Sequence, residues 1–146
     1  NWPQFRGPGG SGRVYNNEDA PTEWDGKSGM NIIWKTSIPL AGFNSPIIWE
    51  GKLFLSGTDD QNQSVFCFST EDGEMLWEHK LNDIAHSPNP RPKVMDYTGY
   101  AAPTLTTDGP GVYVLFGTGD IAGFDFDGKR LWAQNLGSPV NHYGHS

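Results

Sequence analysis

The sequence predicts an all-β protein that forms part of a β-propeller: two four-stranded antiparallel blades, a leading strand and a Pro/Gly-rich N-terminal arm. Three observations predict this. The first is an internal repeat. Residues 43–82 carry Gly51-Lys52-Leu53-Phe54-Leu55-Ser56-Gly57, Val65-Phe66-Cys67-Phe68-Ser69 and Asp72-Gly73-Glu74-Met75-Leu76-Trp77. Residues 99–137 carry Gly111-Val112-Tyr113-Val114-Leu115-Phe116-Gly117, Ile121-Ala122-Gly123-Phe124-Asp125 and Asp127-Gly128-Lys129-Arg130-Leu131-Trp132. A repeat of about 40 residues that resolves into four short strands is the signature of a propeller blade. The second observation is composition: 19 Gly, 11 Pro and 13% aromatic residues in 146, with no window of sustained helical period. The third is that strands such as Val112 to Phe116 are apolar on both faces, as a sheet sandwiched between neighbours requires.

The elements follow in order. Residues 1–30 hold Pro3, Gly7, Pro8, Gly9, Gly10, Gly12, Pro21, Gly26 and Gly29, and this density of breakers forbids long regular structure. They form an arm with Trp2, Phe5 and Trp24 as anchors. Residues 31–42 read as a leading strand, Asn31 to Ile38, equivalent to the outermost strand of a blade whose inner strands are missing. The first complete blade, 43–82, has strands at 44–49, 52–57, 64–69 and 75–81. An insertion, 83–98, carries Ser87-Pro88-Asn89-Pro90-Arg91-Pro92, whose alternate prolines favour an extended path. The second blade, 99–137, has strands at 101–106, 112–117, 120–125 and 130–136. Glu50-Gly51, Asp72-Gly73, Asp108-Gly109 and Asp127-Gly128 are turn signals between strands. Residues 138–146 begin a truncated next blade. Because a ring needs about four or more blades, the chain reads as a fragment of a larger, seven- or eight-bladed protein.

Charge and cysteine content exclude several function classes. The net charge is −7 and the ten basic residues are scattered, which argues against nucleic acid and against an anionic membrane surface. No apolar run is long enough to span a bilayer. The single cysteine, Cys67, leaves no internal disulfide and no paired-cysteine metal or redox site, and its strand context predicts a small buried apolar residue. No Gly-x-Ser-x-Gly is present, and Gly117-Thr118-Gly119 opens no helix, so neither serine-hydrolase nor phosphate-loop chemistry is indicated. The adjacent pair Asp59-Asp60 reads as a solvated turn, and the spacing of His142 and His145 does not suit a metal in this context.

The pattern Cys67-x-Ser69-x-x-Asp72-Gly73-x-x-x-Trp77, repeated as Gly123-x-Asp125-x-x-Gly128-Lys129-x-x-Trp132, resembles the tryptophan-docking motif of pyrroloquinoline-quinone-type propeller repeats. The second copy is one residue shorter than the first. Glycine supplies the left-handed turn position, and the tryptophan lays its ring on the adjacent blade. Trp34, Trp77 and Trp132, with Gly73 and Gly128, are therefore expected to be structural docking residues. Trp2-Pro3-Gln4-Phe5-Arg6-Gly7-Pro8, Pro21-Thr22-Glu23-Trp24, Ser45-Pro46, Ala102-Pro103 and Tyr143-Gly144-His145-Ser146 extend the resemblance to secreted bacterial members over nearly the whole chain. The resemblance implies a propeller fold and an extracytoplasmic location, periplasmic or secreted. The family includes quinoprotein dehydrogenases, the scaffold lipoprotein of the outer-membrane barrel assembly machinery, and members without assigned activity, and fold does not carry function by itself.

The expectation is a non-enzymatic binding or scaffold propeller with no catalytic residue, metal or cofactor in this chain. One alternative is a fragment of a quinone-dependent dehydrogenase, which would need a quinone and calcium held by residues in other blades. Another is a carbohydrate-associated propeller with Trp49 or Tyr97 stacking on sugar rings. The expected partners are the missing blades or other copies of the chain, and a protein or a glycan. In the resembled proteins the His-Ser tail leads into the next inner strand, which would aim His145 at the central channel. The ligand-rim candidates are thus Asn44, Ser45, Tyr100 and His145 at inner-strand starts, with His86 and Arg91 of the insertion. Open blade edges and uncovered apolar faces predict self-association of the isolated chain.

Overall fold

The computed structural model describes residues 1–14, 21–95 and 97–138. It contains two antiparallel sheets. Strands β1 (Ile47–Trp49), β2 (Lys52–Thr58), β3 (Gln63–Ser69) and β4 (Met75–Lys80) form the first sheet in the order β1-β2-β3-β4. Strands β5 (Thr106–Thr107), β6 (Val112–Leu115), β7 (Asp120–Phe124) and β8 (Arg130–Asn135) form the second in the same up-and-down order. Strands β1 and β5 approach one another, so they are the inner strands, and β4 and β8 are the outer ones. A 3₁₀ turn at Pro8–Gly10 is the one helical element among the described residues.

The two sheets are copies in detail. Each breaks register once between its third and fourth strands, at Cys67/Phe68 and at Gly123/Phe124. Phe54, Cys67 and Trp77 line up across the first sheet, and Tyr113, Gly123 and Trp132 line up across the second. Phe54 thus corresponds to Tyr113, one residue away from the match obtained by superposing Gly51 on Gly111. The hairpin turns explain the offset. Trp49 pairs with Lys52 across a two-residue turn, whereas Thr107 pairs with Val112 across four residues, Asp108 to Gly111.

Alternation along each strand sends one face of every sheet forward and the other back. The forward face of the first blade (Ile47, Phe54, Val65, Cys67) meets the back face of the second (Val112, Val114, Ala122, Phe124) in one continuous core. Leu81 at the end of the first blade, Ile84 from the start of the insertion, and Ala101, Leu105 and Phe116 complete it. Cys67 is fully buried there, and burial pushes its thiol up to about 12, so it is an inert packing residue. The back face of the first blade forms a smaller cluster, Leu55, Phe66 and Phe68 with Leu40 and Leu53.

Three departures from expectation have local causes. The inner strands are shorter than 44–49 and 101–106. Pro46 and Pro103 have no N–H for a ladder, and the Asn44 side chain bonds the Ser56 main chain where a strand residue would, donating to its carbonyl (2.8 Å) and accepting from its N–H (3.2 Å). Residues 31–42 are not a sheet member: among the described residues only Ala41 bridges, to Thr58, and no described strand flanks Asn31 to Ile38. Finally, the arm is more ordered than its breakers suggest. Trp2 exchanges main-chain hydrogen bonds with Ile48 on β1 (2.6 and 2.9 Å), and the Pro3 carbonyl accepts from the Thr107 N–H on β5 (2.9 Å). The arm therefore straps the inner edges of both sheets, covering strand edges that would otherwise be open.

Candidate functional site: the insertion and its cleft

The docking tryptophans define the frame. Trp34 donates its indole N–H to the Thr70 carbonyl (2.8 Å) and lies over Gly73, where a Cβ would sit 2.5 Å from the ring. Trp77 does the same one blade on, donating to the Phe126 carbonyl (3.1 Å) and lying over Gly128, where a Cβ would be 2.8 Å from the ring. Both glycines have positive φ, +75° and +85°. Trp132 has no following blade among the described residues. It folds back over Gly123, stacks on Tyr113 at 6.1 Å and remains 41% exposed. Even without a ladder, residues 31–42 thus hold the docking place of a preceding blade's outer strand.

On this frame the insertion is pinned by a buried polar cluster that sequence reasoning missed. Asp120 opens β7 and is fully buried. Its Oδ2 accepts hydrogen bonds from Gln63 Nε2 (2.6 Å), Ser87 Oγ (2.7 Å) and Thr118 Oγ1 (2.9 Å), and its Oδ1 accepts from Asn135 Nδ2 (2.7 Å). Gln63 also donates to the Leu81 carbonyl (2.9 Å). Four donors from the first blade, the insertion and the second blade therefore converge on one carboxyl group. A buried group of this kind is stable only when its bonds are made. The sequence signal was faint: Asp120 follows a Gly-Thr-Gly turn and looks like any turn aspartate.

The rim candidates separate once placed. Asn44 spends both side-chain atoms on main chain, bonding Ser56 and donating to the Ala101 carbonyl (2.9 Å), so it stitches the inner ends of the two blades. The Ser45 N–H donates to Thr104 Oγ1 (3.0 Å) at the same seam. Arg91 and Tyr100 do come together: the guanidinium lies 5.4 Å from the ring centroid, its Nη1 donates to the Asp59 carbonyl (2.8 Å), and the Tyr100 hydroxyl donates to the Pro92 carbonyl (2.8 Å). His86 is exposed with φ +64° and does not line the cleft beside Arg91. His145 lies outside the described residues. Of the two aromatic residues considered for sugar stacking, Trp49 is half-buried against the inter-blade core and Gly109, while Tyr97 is 68% exposed.

Between the 58–63 turn and the insertion lies a polar cleft of about 630 Å³, lined by Gln61, Gln63, Asn82, Ser87, Arg91 and Tyr100 among others. A second cavity, about 590 Å³ and mainly apolar, lies on the back of the first blade under Trp34, Ile38 and Leu40, with Leu53, Leu55 and Phe68 as its floor.

With this geometry established, the sequence matches a known family. Residues 5–143 match the family described as outer membrane protein assembly factor BamB, whose repeats are of the pyrroloquinoline-quinone type. The chain belongs to this family. BamB from Moraxella catarrhalis superposes with a TM-score of 0.53 at 17% identity, over 75% of this chain and 29% of that one. A quinohemoprotein alcohol dehydrogenase from Pseudomonas putida HK5 superposes with a TM-score of 0.48 at 18% identity, over 75% of this chain and 15% of that one. No curated protein matches the chain. The BamB likeness supports the propeller fold, and the chain spans under a third of the length of either structure. Among the described residues no helix is long and apolar enough to cross a membrane.

Proposed function

We propose that this BamB-family chain belongs to a non-enzymatic, extracytoplasmic binding or scaffold propeller, and that the insertion is its presenting surface. The observation that carries this reading is the convergence of Gln63, Ser87, Thr118 and Asn135 on Asp120. The most buried carboxyl group near the cleft is fully engaged in holding the insertion between two blades. A group so saturated is suited to fixing a shape rather than to exchanging protons with a substrate. The arm supports the same reading, because it straps the inner strand edges on the side a central channel would occupy. The extracytoplasmic location rests on the family resemblance. The partners are other blades, other copies of the chain, or a protein or glycan bound at the insertion.

Two measurements test the reading. A photo-crosslinking residue at exposed Asn89 should give a discrete adduct in cells, and that adduct should vanish when the insertion is shortened. The whole propeller that contains this chain, supplied with pyrroloquinoline quinone, calcium and short alcohols, should reduce an electron-accepting dye no faster than cofactor alone. Dye turnover above that background would establish the dehydrogenase reading instead.

A further inference from the structure

The polar cleft holds more unspent hydrogen-bonding capacity than its role in holding the insertion uses. Its two charged side chains are of opposite sign, Asp60 and Arg91, so it favours neither an anion nor a cation. Asp60 makes no ion pair among the described residues. Arg91 lies over the Tyr100 ring, 5.4 Å from its centroid, and donates to the Asp59 carbonyl through Nη1, leaving the rest of its planar fork for a ligand. The side-chain amides of Gln61 and Asn89 line the cleft and make no hydrogen bond among the described residues; each offers an acceptor and two donors. Pro88 and Pro90 add rigid apolar faces without N–H groups. The volume, about 630 Å³, falls within the usual range for small-molecule sites.

We propose that this cleft binds a neutral polyhydroxylated ligand, one or two sugar rings, through Asp60, Gln61, Asn89 and the free edge of Arg91. The chemistry matches at each point. Vicinal hydroxyls are paired donors and acceptors, which planar amide, carboxylate and guanidinium groups engage two at a time. The C–H faces of a sugar ring suit the proline wall. The balanced charge fits a ligand without charge. This assignment rests on the reading of the insertion as a presenting surface and names what that surface takes.

The test is saturation-transfer NMR and titration calorimetry of the protein with maltose, cellobiose and chitobiose, with acetate and a lysine amide as charged controls. At least one disaccharide should bind saturably, and neither control should. Asp60→Ala and Asn89→Ala each remove exposed groups that hold nothing in the fold. Each should weaken binding about tenfold, the equivalent of one good hydrogen bond to a charged or bidentate group. His86→Ala, outside the cleft, should leave it unchanged. Absence of saturable binding by all three disaccharides, binding undiminished in both variants, or tighter binding of either control would overturn the proposal. Loss of sugar binding with the Asn89 crosslink intact would leave the scaffold reading standing, whereas dye turnover would remove that reading whatever the sugars do.

Discussion

At the scale of single residues, a glycine beneath a docked tryptophan helps to decide how the blades join. Gly128 has φ +85°, and a Cβ there would lie 2.8 Å from the Trp77 ring. Gly128→Ala therefore meets both backbone strain and overpacking, and should cost roughly 2–4 kcal/mol, read as a lower urea midpoint at unchanged slope. Gly137→Ala provides the contrast: it has positive φ but nothing within 4 Å of its Cβ, so it carries the backbone cost alone. Several exposed aspartates set an acid limit. Hydrogen bonds hold Asp59 (Asn62 side chain first), Asp72 (Glu74 N–H first), Asp83 (Arg130 guanidinium first) and Asp108 (Gly111 N–H first) below the usual carboxylate range. Their folded values lie below their unfolded ones. Their contribution is therefore complete above the ordinary value of about 3.9 and is lost as pH falls through the lowered folded values. Melting temperature should be flat in these groups between about pH 7 and 5 and fall below about pH 4.

At the scale of elements, the insertion shows how an irregular segment is made definite. Its prolines give it no ladder to join, yet Ser87 on Asp120 and Arg91 on Asp59 and Tyr100 tie it down at two points. Asp120→Asn keeps the shape but turns an amide N–H toward groups that donate to Oδ2 or Oδ1. Buried donors left unpaired cost about 1–3 kcal/mol each. The expected outcome is faster amide hydrogen exchange across residues 83–95, with β2 and β3 still protected. Unchanged exchange in the insertion would show that its position does not depend on Asp120. The leading segment follows the opposite rule. It has a docked tryptophan but no ladder, which shows that docking and strand pairing are separable contributions to a blade.

At the scale of the whole molecule, two faces of one repeated interface stand open. The forward face of the second blade presents Tyr113, Leu115, Ile121 and Trp132, the counterparts of residues that the first blade buries against its neighbour. The back face of the first blade is only partly covered by residues 31–42, and Ile38 (48% exposed) and Phe43 (63%), which line the cavity there, extend its apolar surface. Exposed apolar area of this kind drives association. The chain by itself should elute and scatter as dimers or larger species in a concentration-dependent manner, and Trp132→Lys should shift it toward monomer. A monodisperse monomer without exposed-surface dye binding would show that blade-to-blade contacts suffice, as in repeat arrays.

The repeat alone determined the blade architecture. Glycine and tryptophan at a fixed spacing need no tertiary information to be recognised, because the glycine is demanded by a local backbone angle and the tryptophan by its size. Hence Trp34, Trp77, Gly73 and Gly128 stand out in the sequence itself. Strands apolar on both faces likewise revealed the sandwiched sheets and the buried Cys67. Only the tertiary structure decided the rest. It set the one-residue offset between Phe54 and Tyr113, because turn length, not residue similarity, fixes register. It converted Asn44 from a channel-facing candidate into a stitch between blades, and it brought Gln63, Ser87, Thr118 and Asn135 together on Asp120 across as many as 57 residues of sequence. It also laid Trp2 and Pro3 across β1 and β5. Such contacts join segments whose separation leaves no period in the sequence, so their partners become visible only when the chain has folded.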